Sequence, residues 1–440
     1  MENTTNRAKL NEAPVLMSSV DAAWLRMERE KNQMTITGVI YLEPALDFNR
    51  FLNVLNDRLL IYDRFKQKVQ YNGDAPCWEW DSQFDILNHV HNFDLKENYP
   101  NAGLDAFISD LMSRSMDFNK PLWEMYLIPH GVNGTAVVAK LHHCIADGIA
   151  LVSVLLSLAT VKPGGAYFDP SKEYPARDKN HEKGFKGGML NILREGGLIV
   201  QSLFKFLTMP SDTATQVKGP LQIRKKAGWS KSFRLDDIKA CAKRYNVTIN
   251  DLLLWFTCSA LRSYLLSHNP LDKASNIRII IPVNLRRKTD SSKLGNKFGL
   301  VFLTLPIGEE DSMMRLRNIQ RQMQDIKHSR EALVAYGVLS ILGRAPHAFE
   351  EVMVDFLSSK CSAVITNVPG PRKELFIAGS SMKDIMFWVP KSGKLGLGVS
   401  LISYNNNVKL GLAADSGRVS NPNEVIEIFE NEVEKELSKK

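Results

Sequence analysis

The feature that most constrains the fold is a break in composition at residues 161–221, which divides the chain into two halves of similar α/β texture. The break begins with the run "KPGGAYFDPSKEYPARDKNHEKGFKGG", whose density of Pro, Gly and charge is typical of a linker. The chain has 440 residues, 44% of them hydrophobic, which is enough for two domains with separate cores. We therefore predict domains at 1–160 and 222–440, joined by a linker at 161–221.

In the first half, runs typical of strands alternate with runs typical of helices. The β-branched run at 34–43 predicts a strand, and apolar residues at helical spacing predict a helix over 47–65. The runs at 121–129 and 135–144 flank the turn sequence "HGVNG" and predict a hairpin. A helix is predicted to follow at 148–160.

The second half shows the same alternation. A capped apolar pattern predicts a long helix over 248–269, and buried strands are predicted at 277–287 and 299–307. Strands around 361–367 and 396–414 and a charged terminal helix complete this half. The alternation in both halves indicates an α/β fold.

Charge and cysteine usage narrow the functional class. The net charge is +8, which suits phosphate-bearing ligands or an anionic membrane surface. Dense Lys/Arg blocks with interleaved aromatics and zinc-finger spacings are absent from the sequence, which disfavours nucleic acid as a partner. The five cysteines are scattered, and we expect a reducing compartment. The polar N-terminus and the lack of 18 consecutive apolar residues predict a cytoplasmic protein that at most rests on a membrane.

One apolar segment stands inside the linker. The run "MLNILREGGLIVQSLFKFLTMP", at 189–210, has helical character but is interrupted by Gly196 and Gly197. Two interpretations stay open, an amphipathic segment that touches a membrane and a helix that packs across the two halves.

The sequence "LHHCIADGIA", at 141–150, places polar residues inside an apolar stretch at the end of the predicted hairpin. A neutral imidazole is well suited to take a proton from an alcohol near pH 7, because its ordinary pKa lies close by. Asp147 is expected to orient the site or pair with a cation, and Gly148 to let the backbone bend or approach closely. Adjacent strand residues point to opposite faces, so one of His142 and His143 is alternatively a buried core residue.

Other polar groups are weaker candidates for function. Cys144, beside the histidines, suggests a thiol nucleophile, but it is expected to face away from the second histidine. His89 and His91 have the spacing of zinc ligands without a further set of Cys or Glu partners, so no metal site is predicted. The basic run at 224–226 is either a contact for phosphates or a solvated face.

An ordered series of motifs resembles a known family. The segments are "MSSVDAAWLRME" (17–28), "PLWEMYLI" (121–128), the HHxxxDG spacing at 142–148, "TINDLLLW" (248–255), "IPVNLRR" (281–287), "GNKFGLVFLTLPI" (295–307), "ITNVPGP" (365–371) and "SYNNNVKLGLAAD" (403–415). Together they resemble the bacterial wax ester synthase/diacylglycerol acyltransferases, which share the chloramphenicol acetyltransferase-like fold. The resemblance covers nearly the whole chain. It implies two α/β domains of that fold, with the active site in a tunnel at their interface.

The resemblance also implies roles for the motif residues. His143 is expected to be the general base and Asn250 the donor to the oxyanion, although capping of the long helix is the alternative role for Asn250 and Asp251.

His142, Asp147 and Gly148 are expected to support the site. Arg286 is the expected partner of Asp147, and the alternative is that Arg286 and Arg287 form a solvated strand end.

Further motif residues are candidates for the substrate channel. They are Pro121, Leu122, Trp123, Asn367, Pro369 and Gly370. For the first three, the alternative interpretation is scaffold beside the strand that carries the histidines. The "NVPGP" run reads as a rigid turn that the resemblance places near the channel.

The implied reaction moves a long-chain acyl group from acyl-CoA, the co-substrate, to a fatty alcohol or a diacylglycerol, without an acyl-enzyme and without a bound cofactor. The implied location is a cytoplasmic protein peripherally associated with the inner membrane or with lipid inclusions. Two alternatives are a condensation enzyme that uses carrier-bound acyl groups and a noncatalytic protein that binds lipid or coats droplets.

Overall fold

The computed structural model describes residues 12–170, 201, 204, 208–268, 275–286, 294–342, 354–356, 358–391 and 393–439. The strands are β1 (Val15–Leu16), β2 (Thr35–Glu43), β3 (Gln67–Asn72), β4 (Ala75–Trp80), β5 (Val90–Asn92), β6 (Trp123–His130), β7 (Gly134–His142), β8 (Lys225–Trp229), β9 (Phe233–Arg234), β10 (Ile277–Asn284), β11 (Phe298–Leu305), β12 (Ala363–Pro369), β13 (Phe376–Ile377), β14 (Ser380–Trp388), β15 (Leu397–Tyr404) and β16 (Asn407–Asp415).

The α-helices are α1 (Ser19–Arg26), α2 (Phe48–Arg58), α3 (Leu95–Asn98), α4 (Leu104–Ser113), α5 (Gly148–Ser157), α6 (Leu235–Tyr245), α7 (Ile249–His268), α8 (Ser312–His328), α9 (Glu331–Leu342) and α10 (Pro422–Ser438). Most of the segment 189–210, which the sequence predicts to be helical, lies outside the described residues.

The first sheet has six strands in the order β13, β14, β2, β7, β6, β5. The predicted hairpin is present as β6 and β7, with Trp123 opposite Leu141 and with Gly131 in the turn at a φ of 64°. β7 is buried along its whole length, which explains why apolar residues follow one another at 136–139 instead of alternating with polar ones. His142 is its last residue, and Thr35 of β2 lies opposite it.

The second sheet is mixed and follows the order β11, β10, β12, β15, β16, β8, with β9 also paired to β16. β12 runs parallel to both β10 and β15, and the other pairs in this sheet are antiparallel. The predicted run at 396–414 forms the hairpin of β15 and β16, whose turn residues Asn405 and Asn406 have φ values of 45° and 60°. Left-handed conformations at both turn positions suit the twist of a tight hairpin. α7 packs on this sheet and is buried from Asp251 to Leu261.

The second half contributes two strands, β13 and β14, to the sheet of the first half. β14 pairs with β2 of the first sheet, with Met386 opposite Val39, although β14 comes late in the chain. The expected domain at 222–440 therefore includes one hairpin that belongs to the sheet of the first half. Local sequence patterns contain no signal for this long-range pairing, and the domain boundaries stay a prediction.

Lys225, the first residue of β8, is buried and connects the two halves through hydrogen bonds. The Lys225 ammonium donates to Asp415 Oδ2 at 2.7 Å, to the carbonyl of Lys31 at 2.7 Å and to the carbonyl of Gln222 at 2.6 Å. Burial lowers the pKa of Lys225, and the hydrogen bond to Asp415 opposes that change. Of the basic run 224–226, Lys225 is thus neither a solvated residue nor a free phosphate contact, because its three donors have internal partners.

We predict that Lys225→Met lowers the free energy of unfolding by about 3 kcal/mol, because it leaves the buried Asp415 carboxylate without its cation. Urea unfolding followed by circular dichroism measures the change. Lys226→Met is the control, since Lys226 is only half-buried, and we expect it to change stability by less than about 0.5 kcal/mol. Equal stability of the two variants would contradict this role for Lys225.

Candidate active site

A cavity that includes His143 in its wall lies between the two sheets. Trp24 of α1 and two residues of the first sheet, Ile36 and Phe387, form one side, and the second sheet contributes an apolar wall that includes Ile280 and Leu300. Such a lining, mostly apolar with a few polar groups, is typical of a site for a small or lipid ligand.

His143 follows directly after β7 and is anchored through its backbone, whose N–H donates to the carbonyl of Met34 at 2.7 Å. Its imidazole stacks on Trp24, with ring centroids 4.0 Å apart and the planes inclined by 22°. Only 6% of the residue is exposed. Burial lowers the pKa of His143 to about 4, against the opposing effect of the Asp147 carboxylate. The imidazole is therefore neutral near pH 7 and able to accept a proton.

His142 lies on the other face of the strand, as expected for adjacent residues of a strand. It is fully buried, its Nδ1 accepts a hydrogen bond from the backbone N–H of Cys144 at 3.1 Å, and its Nε2 lies 3.5 Å from Glu28 Oε2. These contacts shape the turn after β7 and keep His142 out of the cavity wall.

The expected ion pair between Asp147 and Arg286 is present and buried. The guanidinium donates to Asp147 Oδ2 from NH2 at 2.8 Å and from Nε at 3.2 Å. The same oxygen accepts from the backbone N–H of Lys297 at 2.9 Å, and Oδ1 caps α5 through the N–H of Ala150 at 2.9 Å. Only 5% of the Arg286 side chain is exposed, so Arg286 is not a solvated strand end, and Arg287 lies outside the described residues.

Gly148 begins α5 and faces the cavity. Its φ is not in the left-handed region, so the bend does not require glycine. A Cβ at this position would lie 4.0 Å from Ile36 Cδ1. The glycine therefore brings the backbone close to the cavity without a side chain in between.

A second polar cluster, formed by Asp21, Arg64 and Asn296, holds the turn that follows β7. Asp21, fully buried on α1, accepts from the Asn296 backbone N–H at 2.9 Å, from Asn296 Nδ2 at 2.8 Å and from Arg64 at 2.9 Å. Asn296 Nδ2 also donates to the carbonyl of His143 at 2.9 Å, and Arg64 donates to the carbonyl of Ile145 at 2.6 Å.

The roles of Asp21, Trp24, Arg64 and Asn296 are not predicted by the sequence. Asp21, Trp24 and Asn296 lie in two of the segments that carry the family resemblance, "MSSVDAAWLRME" and "GNKFGLVFLTLPI". Those two segments are the sequence features that could have indicated these residues.

The Asn-Asp motif lies at the start of α7. Asp251 forms a reciprocal cap with Thr248, whose N–H donates to Asp251 Oδ2 at 3.0 Å while Thr248 Oγ1 accepts from the Asp251 N–H at 3.2 Å. Asn250 is not among the residues that line the cavity, but its Oδ1 accepts from Asn367 Nδ2 at 3.1 Å, and Asn367 does line it. The capping interpretation thus fits Asp251, and Asn250 lies next to the cavity wall.

Five of the six channel candidates lie elsewhere. Pro121, Leu122 and Trp123 are buried, and Trp123 donates from Nε1 to the carbonyl of Phe65 at 2.8 Å. Leu122 and Trp123 belong to the hydrophobic core of the first half, and Pro121 is buried next to them in the chain, which agrees with the scaffold interpretation.

The "NVPGP" run contributes two residues to the cavity wall, the predicted Asn367 and its neighbour Val368. Pro369 and Gly370 are not among the cavity-lining residues. A Cβ on Gly370 would lie 2.1 Å from the carbonyl oxygen of Ser403, so the glycine allows the two backbones to approach closely. Gly370 therefore has a packing role.

Two of the weaker candidates, Cys144 and His89, are buried. Cys144 is fully buried, and burial raises the pKa of its thiol well above the ordinary value, so it does not supply a thiolate. His89 is buried, stacks on Trp123 with centroids 4.6 Å apart and bonds through Nδ1 to the Trp123 carbonyl at 2.8 Å. Burial lowers its pKa.

Among the described residues there is no group of three or more His, Cys, Asp or Glu side chains arranged around a common metal position. Within the same ranges, no helix combines the length and the apolar character that a bilayer crossing requires.

We predict that Arg286→Lys loosens the turn at 143–150, because one ammonium cannot replace the paired contacts of the guanidinium with Asp147. Amide hydrogen exchange read by mass spectrometry should rise in peptides that cover this turn. Arg317→Lys, a matched change at an exposed arginine of α8, should leave exchange there unchanged. Equal protection of the turn in both variants would show that the ion pair does not restrain it.

Family models cover most of the chain. The wax ester synthase/diacylglycerol acyltransferase catalytic domain matches residues 17–253, and the WS/DGAT C-terminal domain matches residues 294–435. Among curated proteins, the chain is 26% identical to the probable diacylglycerol O-acyltransferase tgs1 of Mycobacterium tuberculosis, covering 95% of this chain and 94% of that protein. It is 27% identical to the O-acyltransferase WSD of Acinetobacter baylyi, covering 94% and 95% of the two chains.

Solved structures agree on the fold. The wax ester synthase/diacylglycerol acyltransferase from Marinobacter aquaeolei VT8 matches with a TM-score of 0.70 at 21% identity, over 96% of this chain and 98% of that one. The starter condensation domain of rhizomide synthetase, solved with C8-CoA and Leu-SNAC, matches with a TM-score of 0.62 at 12% identity, over 99% and 95%. The predicted fold class is confirmed, and the chain belongs to the wax ester synthase/diacylglycerol acyltransferase family.

Proposed function

We propose that this acyltransferase moves a long-chain acyl group from acyl-CoA to the hydroxyl of a fatty alcohol or a diacylglycerol, with His143 as general base. The observation that carries the proposal is the buried imidazole of His143 in the wall of a mostly apolar cavity between the two sheets. Burial lowers the pKa of this imidazole to about 4, and the neutral base that results at pH 7 is what proton abstraction from an alcohol needs. The solved complex of the rhizomide condensation domain with C8-CoA supports acyl-CoA as a ligand for this fold.

In the proposed reaction, His143 Nε2 takes the proton as the acceptor O–H bond breaks. Nε2 is the nitrogen that acts, because Nδ1 is buried in the protein. The acceptor oxygen forms a bond to the thioester carbon, and the carbonyl becomes an oxyanion. Collapse of this intermediate breaks the C–S bond, and the CoA thiolate receives the proton from the imidazolium. The acyl group passes directly to the acceptor, so no acyl-enzyme forms.

Asn250 remains our proposal for the donor to the oxyanion. Its amide bonds to Asn367, which lines the cavity, and a motion of the two amides toward the thioester would bring an N–H within reach. Catalytic hydrogen bonds often tighten only when the substrate is bound. Asp251, Asp147 and Arg286 have supporting roles in this proposal, as does His142.

The apolar space near the site favours long chains. A second, narrow apolar pocket lies against the first sheet and shares Ile36, Gly148 and Phe387 with the cavity of His143. Its other walls are apolar side chains such as Phe51 and Leu151. An alkyl chain gains free energy on leaving water for such a lining, at about 0.8 kcal/mol for each buried CH₂.

We also propose that the protein works on the cytoplasmic side, peripherally on the inner membrane or on lipid inclusions. The net charge of +8 supports attraction to anionic lipid surfaces. The acceptors and products of the proposed reaction are insoluble in water, and a surface location brings the enzyme to them.

We predict that purified protein releases free CoA thiol from palmitoyl-CoA when hexadecanol or dipalmitoylglycerol is present, and that His143→Ala lowers the rate at least about 100-fold. Thiol release is followed with a chromogenic reagent, and the ester products are resolved by chromatography. His130→Ala is the matched control, because His130 is exposed at the far end of the same hairpin.

The outcomes separate the alternatives. Ester formed by wild type and by His130→Ala, but not by His143→Ala, supports the proposal, and the better acceptor names the main activity. Absence of thiol release with both acceptors would contradict it. Transfer from a phosphopantetheine carrier alone would then favour the condensation reaction, and lipid binding without transfer would favour the noncatalytic role.

We predict that kcat/KM for acyl transfer stays constant from pH 8 to about pH 5 and falls at lower pH, with a midpoint near pH 4. Protonation of His143 removes the base, and burial shifts its pKa to about 4, so the loss comes well below the ordinary midpoint. Initial rates in overlapping buffers give the profile, and circular dichroism at each pH monitors folding. A midpoint near 6.5 with intact protein would contradict a desolvated His143.

A further inference from the structure

Two buried polar atoms beside the site lack hydrogen-bond partners among the described residues, and they are chemically complementary. One is His143 Nδ1 and the other is Asn296 Oδ1. A neutral imidazole with its proton on Nδ1 is a donor there, and an amide oxygen is an acceptor. Buried polar groups in folded proteins are nearly always paired. These two atoms belong to residues that already share the hydrogen bond from Asn296 Nδ2 to the His143 carbonyl, which makes them candidates to pair with each other.

The orientation of the Asn296 amide is fixed by its other contacts. Nδ2 donates to Asp21 Oδ1 at 2.8 Å and to the His143 carbonyl at 2.9 Å. Exchange of the amide oxygen and nitrogen would turn the oxygen toward two acceptors, which excludes that orientation. The oxygen is therefore the end of the amide that remains for the imidazole.

Asp21 is itself restrained, which makes the amide a rigid support. It is fully buried and also accepts from Arg64 at 2.9 Å and from the Asn296 backbone N–H at 2.9 Å. The proximity of the Asn296 side chain raises the pKa of His143 against the effect of burial, so the amide lies close to the ring. The carbonyl of His143 itself is the other acceptor near Nδ1.

We propose that Asn296 is a positioning residue that accepts a hydrogen bond from His143 Nδ1–H and thereby keeps the Nε2 lone pair available to the substrate. This inference rests on the proposed role of His143 as general base. In the reaction, Nε2 gains the hydroxyl proton while Nδ1 keeps its own, and the bond to Asn296 becomes a charge-assisted one. A chain of hydrogen bonds from Asp21 of α1 through Asn296 to His143 then fixes the orientation of the imidazole.

The direct test is the tautomer of His143 read by ¹⁵N NMR of full-length protein labelled at histidine, with the His143 signals assigned by their loss in His143→Gln. We expect the Nδ1–H tautomer in wild type and a growing fraction of the Nε2–H tautomer in Asn296→Ala. Asn367→Ala removes an amide from the same cavity wall, and we expect it to leave the tautomer unchanged.

Two NMR results would overturn the inference. The first is a predominant Nε2–H tautomer in wild type, which decides the matter even where Asn296→Ala fails to fold. The second is an unchanged tautomer in folded Asn296→Ala, which would show that the carbonyl of His143 holds the ring without Asn296.

Kinetics provide a second readout. We expect Asn296→Ala to lower kcat by about 10- to 100-fold while KM for palmitoyl-CoA changes less than about threefold, because the substituted residue orients the base and does not contact the acyl chain. A loss confined to KM would overturn the positioning role. The tautomer is measured without turnover, so failure of the proposed acyl transfer and failure of this inference give different results.

Discussion

The site depends on one buried ion pair, between Asp147 and Arg286. Asp147 follows the histidine pair of the first half and caps α5, whereas Arg286 follows β10 of the second sheet. A charge this deeply buried is stable only when it is paired and hydrogen-bonded, and the backbone N–H of Lys297 completes the set of donors. The two halves can therefore close only in an arrangement that brings this carboxylate and this guanidinium together, and that arrangement places His143 at their interface.

Around this pair, polar groups are used to fix geometry and apolar groups to exclude water. Asp21 and Asn296 hold the backbone of His143 and the following turn, and Trp24 fixes the plane of the imidazole by stacking. The lining of the cavity is mostly apolar, which suits an alkyl substrate, and burial of His143 lowers its pKa so that the base is neutral. The same desolvation that makes a charged imidazole unfavourable makes a neutral one available for proton transfer.

Local patterns in the sequence predict what local physics decides. The hairpin of β6 and β7, the turn after His142 and the long helix α7 all appear near their expected positions, because periodicity and turn residues determine them. The family resemblance supplied the Asp147–Arg286 partnership, which spacing alone does not give. The insertion of β14 beside β2 and the contacts of Asn296 with Asp21 and His143 connect residues far apart in sequence, and no local pattern encodes them. Trp123 shows the converse, a prominent motif residue whose function is to fill the core.

The most direct test of the central claim is a crystal structure with a nonreactive thioether analogue of palmitoyl-CoA and with hexadecanol. We expect the alcohol hydroxyl to lie within about 2.6–3.2 Å of His143 Nε2. We also expect the thioether sulfur to lie in the same cavity between the two sheets and the alkyl chains to pack against its apolar walls. Occupied ligand density elsewhere, with the cavity of His143 empty, would contradict it.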